Sequence, residues 1–140
     1  MQSSFITINC RVRGKAQLTS DDLPGKIFSA ISHYQQNRRW WPEIVLLMPD
    51  HLHALISFPW EQGQGMGSVI GQWKRYTAKA FGIGWQRDYF DHRIRSDADH
   101  LASWAYIREN PVRSGLVGDY ADWPHVWFPE RTGWDSGKPS

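Results

Sequence analysis

Two histidines separated by one residue, His51-Leu52-His53, and a tyrosine four residues before an asparagine, Tyr106 and Asn110, are the residues of this chain whose types and spacing suit chemistry. On a β-strand, alternate side chains share a face. His51 and His53 would therefore point the same way, about 7 Å apart along a backbone rising ~3.3 Å per residue. Two imidazoles so placed can share one divalent metal. On a helix, positions four apart share a face, which sets Tyr106 beside Asn110, together with Asp99, Ala102 and Ser103. Asn110 can there lend its amide oxygen to the same cation. Two imidazoles and one amide leave coordination positions open for a phosphate oxygen, which the cation polarises. The phenol of Tyr106 can then attack phosphorus and form a covalent intermediate. A free tyrosine has a pKa of about 10, so it needs solvent or the metal's field to lose its proton. His92 and His100 read as surface residues rather than as a dedicated base. Each pair also has a plainer reading. An H-x-H can be two surface histidines on a sheet, and Tyr106 and Asn110 can be a half-buried tyrosine and an asparagine closing a helix before Pro111.

These residues need elements to position them. Residues 5–12 alternate as a strand does. Thr19-Ser20-Asp21-Asp22 with Pro24 marks a helix start, and Ile27, Ala30, Ile31 and Tyr34 carry that helix to about Arg39, before Trp40-Trp41-Pro42 breaks it. Ile44–Met48 reads as a buried strand, Pro49-Asp50 as a tight connection and His51–Phe58 as the next strand, with Leu52, Ala54, Ile56 and Phe58 facing the core. A loop follows at Pro59 and the Gly-rich 63–67. Val69, Ile70, Trp73, Tyr76, Thr77 and Ala80 outline a second helix ending near Gly82. Trp85–Ile94 reads as a loop leading into a short strand. Ser96 with Asp99 is a capping box for a third helix, whose buried stripe is expected to be Leu101, Trp104, Ala105 and Ile107. Pro111 predicts its end at Asn110. The resulting expectation is an α+β domain, an antiparallel sheet with helices packed mainly on one face, spanning 1–125 with a short C-terminal tail at 126–140.

Composition narrows the function classes. The 140 residues are 41% apolar and 21% charged, as in a globular domain rather than a disordered or fibrous chain. One cysteine, Cys10, excludes an internal disulfide and a four-cysteine zinc site. No apolar run approaches a membrane span, and no secretory leader is visible, so a cytoplasmic protein is expected. The net charge of +2 is unevenly laid out: residues 1–41 carry six Lys/Arg against two acids, and residues 71–113 carry eight against five. Nine tryptophans accompany these basic segments. Cations interleaved with aromatic rings suit single-stranded nucleic acid, although a charged surface over a Trp-rich core has the same composition.

The motifs are similar to those of one family. Met48-Pro49-Asp50-His51-Leu52-His53-Ala54-Leu55-Ile56 resembles the strand motif of the HUH single-tyrosine transposases. Tyr106-Ile107-Arg108-Glu109-Asn110-Pro111-Val112-Arg113-Ser114-Gly115-Leu116-Val117 resembles the segment that closes the domain in the REP-associated branch. Trp73-Lys74-Arg75-Tyr76-Thr77, Trp85-Gln86 and Asp91-His92-Arg93-Ile94-Arg95 fall between them in matching order. The resemblance spans about residues 3–125. It implies a ferredoxin-like or RRM-like sheet with the His pair on a central strand, and a nucleoid-associated, Mg²⁺- or Mn²⁺-dependent transposase acting as monomer or homodimer on single-stranded DNA hairpins. It makes Tyr106 the nucleophile, His51 and His53 metal ligands, and Asn110 the third ligand. It further implies a 5′-phosphotyrosine intermediate that stores the bond energy, which agrees with the lack of a nucleotide-binding G-x-x-x-x-G-K-[ST] loop. Some members carry a basic C-terminal extension, whereas residues 114–140 here hold two cations against four acids.

Candidate DNA contacts are Lys74, Arg75 and Lys79 on the second helix, Trp85 and Gln86 after it, Arg93 and Arg95 alternating on a short strand, and Arg113 near the metal. A solvated helix face and a core tryptophan are the plainer readings of the first four. A histidine-triad phosphohydrolase would need a third histidine where Leu55 stands. A non-catalytic single-strand-binding module would use the tryptophans and arginines but has no need of the His pair, Tyr106 and Asn110 together.

Overall fold

The computed structural model describes residues 2–59 and 65–129. Of the Gly-rich loop expected at 63–67, residues 63 and 64 lie outside the described residues while Met66 and Gly67 are already helical, and most of the C-terminal tail also lies outside the described residues. The elements are β1 (Ser3–Asn9), α1 (Leu23–Gln36), β2 (Trp41–Met48), β3 (His51–Ser57), α2 (Met66–Phe81), β4 (Phe90–Arg93), α3 (Asp97–Arg113), a 3₁₀ turn (Tyr120–Asp122) and β5 (Val126–Trp127). The strands form one sheet in the order β4-β1-β3-β2-β5, with every pair antiparallel.

The centre of the sheet is covered on both faces, which is why β2 and β3 carry near-continuous apolar runs while β1 alternates. On one face, Ile6, Ile8, Val45, Leu47, Leu52, Ala54 and Ile56 pack against Ile27 and Ile31 of α1 and Val69, Ile70 and Trp73 of α2. On the other, Ile44, Leu46, Met48, Leu55 and Ile94 pack against Ile107 of α3. Two helices thus share one face, as expected, and α3 takes the face that bears the histidines.

Local signals explain most boundaries. Pro24 stands in the first turn of α1, and α2 ends on Gly82 in the left-handed region (φ +73°), a conformation that suits glycine. The Ser96 hydroxyl accepts from the Asp99 N–H, which caps α3. Other expectations need correcting. α1 stops at Gln36 rather than Arg39, because Arg38 turns to φ +59°. α3 runs through Pro111 to Arg113. Proline removes one N–H of the ladder, yet the Ser114 N–H still donates to the Asn110 carbonyl and the turn is kept. The buried face of α3 is Ser103, Ile107, Asn110 and Pro111, with Leu101 and Ala105 exposed and Trp104 half-buried. This helix covers polar groups of the sheet, so polar residues turn inward. β5 lies past residue 125, where the sequence places the domain's end. It is held by pairing of Leu46 with Val126 and by the Trp123 indole N–H donating to the Leu47 carbonyl.

Candidate active site between the His pair and the third helix

β3 sits between β1 and β2, so its face is rigidly presented. His51 and His53 lie on the same face, with ring centroids 4.8 Å apart, as the period-2 alternation predicts. Each is held by its Nδ1. The Asp50 carboxylate lies 2.8 Å from Nδ1 of His51, and the Thr7 hydroxyl, on the paired residue of β1, lies 2.9 Å from Nδ1 of His53. In the tautomer in which both Nδ1–H groups donate, both Nε2 lone pairs are free to bind a metal. This carboxylate or hydroxyl behind a ligating imidazole is the arrangement that orients metal-binding histidines.

The electrostatics favour the same state. Burial, then the charges of His51, Arg113 and Arg13, push the His53 imidazole down to about 3, so it is neutral at any physiological pH. Burial alone would raise the Asp50 carboxyl. The Gly14 N–H, the His51 ring and Arg13 outweigh it and hold Asp50 below its ordinary value. Gly14 donates to Asp50 at 2.7 Å, Arg13 approaches it at 3.4 Å, and Arg13 also donates to Asn9. Among the described residues no three His, Cys, Asp or Glu side chains are placed to hold a metal ion together. His51 and His53 are the paired imidazole donors that this face of the sheet offers.

α3 crosses above this pair. The Tyr106 ring stands edge-on to His53 at 5.6 Å and to Phe5 at 5.7 Å. It is about half exposed, at the side of an open groove of about 480 Å³. Asn110, one turn further, is buried and accepts from the Ser114 hydroxyl at 3.3 Å. Arg113 lies over the Tyr106 ring at 4.3 Å and donates to the Tyr106 carbonyl at 2.6 Å. It therefore braces the nucleophile candidate instead of standing free.

The candidate DNA contacts divide. Arg75, Lys79, Arg93 and Arg95 are exposed, but β4 ends at Arg93, so Arg95 does not share its strand face. Its N–H donates to Asp99 instead. Lys74 is not a free cation. Its ammonium donates at 2.7 Å to the carbonyls of both Gln86 and Arg87, and burial lowers its pKa. Trp85 is core. It is buried against Trp73, and its N–H donates to the Thr77 hydroxyl at 2.9 Å, so it offers no face to a base. Gln86 is half-buried, with its backbone N–H on Asn9. Thr7, Asp50, Phe5 and Arg13 are the site residues that the sequence did not single out. Only Asp50 carries a readable signal, adjacency to His51.

No protein-family model matches the chain. A REP-associated tyrosine transposase of Escherichia coli K12 is 28% identical over 129 residues, covering 89% of this chain and 74% of that protein. A Haemophilus influenzae protein provisionally given the same name is 29% identical over 141 residues, covering 89% and 78%. The solved structure of a REP-associated tyrosine transposase bound to a REP hairpin superposes with a TM-score of 0.77 at 25% identity, over 99% of this chain and 92% of that one.

Proposed function

We infer that the chain is a REP-associated tyrosine transposase, an enzyme that cleaves and rejoins single-stranded DNA carrying hairpins of the REP type. Likeness over nearly the whole chain supports this, in sequence and in fold. The observation that carries the chemistry is the Tyr106 ring set against His53 at the side of an open groove.

In the proposed reaction the Tyr106 oxygen attacks the scissile phosphorus, the bond to the 3′ oxygen breaks, and a 5′-phosphotyrosine and a free 3′-OH result. Rejoining is the same step in reverse with another 3′-OH. His51, His53 and Asn110 would hold a Mg²⁺ or Mn²⁺ ion, which when bound neutralises charge on a non-bridging phosphate oxygen. Asp50 and Thr7 orient the two imidazoles, and Phe5 and Arg113 fix the ring of Tyr106. Of the candidate contacts, Arg75, Lys79, Arg93 and Arg95 are exposed and would meet phosphates along the strand.

The groove lies between a helix and a sheet, so the scissile phosphate must be threaded into it. A flexible strand bends into such a gap, whereas a duplex with a persistence length of about 50 nm resists. The test compares one hairpin-bearing sequence as a single strand and as a perfect duplex, with Mg²⁺ or Mn²⁺. A protein–DNA adduct with the single strand alone supports the reading. Efficient duplex cleavage, or binding with no adduct, contradicts it. The second result would favour a non-catalytic binding module.

A further inference from the structure

From His53 and Tyr106 the groove extends to β4 at the sheet edge. Its floor is Phe5 of β1 and Phe90 of β4, and its wall is Ala102 and Ser103 of α3. Phe90 is opposite Thr7 in register, and Thr7 is opposite His53, so the Phe90 ring lies on the catalytic face. It is 58% exposed and belongs to neither core cluster. Phe90 meets Phe5 edge-on at 6.3 Å, and Phe5 meets Tyr106 at 5.7 Å. An aromatic path thus runs from the exposed edge of the sheet to the nucleophile. The rim is polar and held in place: His92 is bonded to Asp99 at 2.9 Å, and Asp99 also accepts from the Arg95 N–H at 3.1 Å.

We propose that this end of the groove is a nucleobase pocket, which takes the unstacked base beside the scissile phosphate, stacked on Phe90 and edged by Ser103 and His92. The inference rests on the transposase reading above. The occupant follows from continuity with Tyr106. Whatever strand presents its phosphate to that phenol must lay its neighbouring nucleotide along the groove, where it meets an apolar ring face with polar groups at the margin. Every base has a π-face that can use such a platform. A base still paired in a duplex would first have to be unpaired and unstacked, so the pocket adds to the preference for single strands. Phe90 then fills the stacking role for which Trp85, buried in the core, is unavailable.

The test uses the full chain with Mn²⁺ and hairpin-bearing single strands in which either nucleotide flanking the mapped scissile phosphate is abasic. Adduct formation is measured for the unaltered protein, Phe90→Ala and Phe90→Trp. One abasic position is expected to cost the unaltered protein about tenfold or more in kcat/KM, the scale of one stacked base. Phe90→Ala should lose a similar factor on the intact strand, and removing the same base should then cost it little more. Phe90→Trp should keep the intact-strand rate, which shows that the Ala effect is not misfolding. If neither abasic strand is impaired, or if the two losses multiply in Phe90→Ala, the pocket is refuted while the transposase reading stands. If the unaltered protein forms no adduct with the intact strand, that reading fails and the pocket with it.

Discussion

Replacing Thr7 by valine removes one oxygen and almost no volume, so it isolates the hydrogen bond behind His53. The hydroxyl lies 2.9 Å from Nδ1 of an imidazole that is only 5% exposed. Leaving the Nδ1–H buried and unpaired would cost about 1–3 kcal/mol of stability. The ring can avoid that cost by moving its proton to Nε2, but Nε2 is then no longer a ligand. Either way the metal site weakens, by about 10–100-fold on the precedent of such supporting bonds, which is about 1.4–2.7 kcal/mol. Calorimetric titration with Mn²⁺ should show this loss for Thr7→Val and a near-normal affinity for Thr7→Ser, which keeps the oxygen. Adduct formation by Thr7→Val should recover at high Mn²⁺, because Tyr106 is untouched. A folded Thr7→Val protein with unaltered Mn²⁺ affinity would refute the role given to His53.

Lys74→Met should lower stability by about 1–3 kcal/mol, the worth of charged hydrogen bonds to two carbonyls, seen as a reduced Tm, with little change in the salt dependence of DNA binding. Arg75→Ala should do the opposite: Tm holds, and the slope of log affinity against log salt falls by about 0.7, one phosphate contact on a single strand; equal slopes would remove Arg75 from the interface. His53 has a folded pKa of about 3, below its value of about 6.5 when unfolded. The unfolded state therefore binds the extra proton first, and stability should be full above about pH 6.5 and fall as the pH drops toward 3. At about 1.4 kcal/mol per unit the loss is on the order of 5 kcal/mol at most. Urea denaturation across that range checks it, and a His53→Asn protein with the same pH slope would contradict it.

The sheet's centre and the His pair were legible because period 2 is a local property. Leu52, Ala54 and Ile56 reach one core while His51 and His53 share the other face. Chemistry that depends on register was not legible: Thr7 supports His53 only because β1 pairs with β3 in that alignment. The face of α3 was misjudged because apolar spacing marks the buried side only when the surface beneath is apolar. Here Ser103 and Asn110 turn inward over a partly polar sheet, and Leu101 is left outside. Val126 and Trp127 are too few to show a period, and their pairing is decided by contacts with β2. Lys74 and Trp85 look like a cation and a stacking ring in sequence. What settles their roles is a pair of carbonyls twelve and thirteen residues away and a buried hydroxyl at Thr77.

The most direct measurement is the identity of the residue that carries the DNA. A hairpin-bearing single strand is incubated with the protein and Mn²⁺, the adduct is digested, and the modified peptide is sequenced by mass spectrometry. The account predicts a 5′-phosphate ester on Tyr106, no adduct for Tyr106→Phe, and hairpin binding by that variant close to normal, since only the phenolic oxygen is lost. An adduct on another of the five tyrosines, or one that persists in Tyr106→Phe, would contradict it.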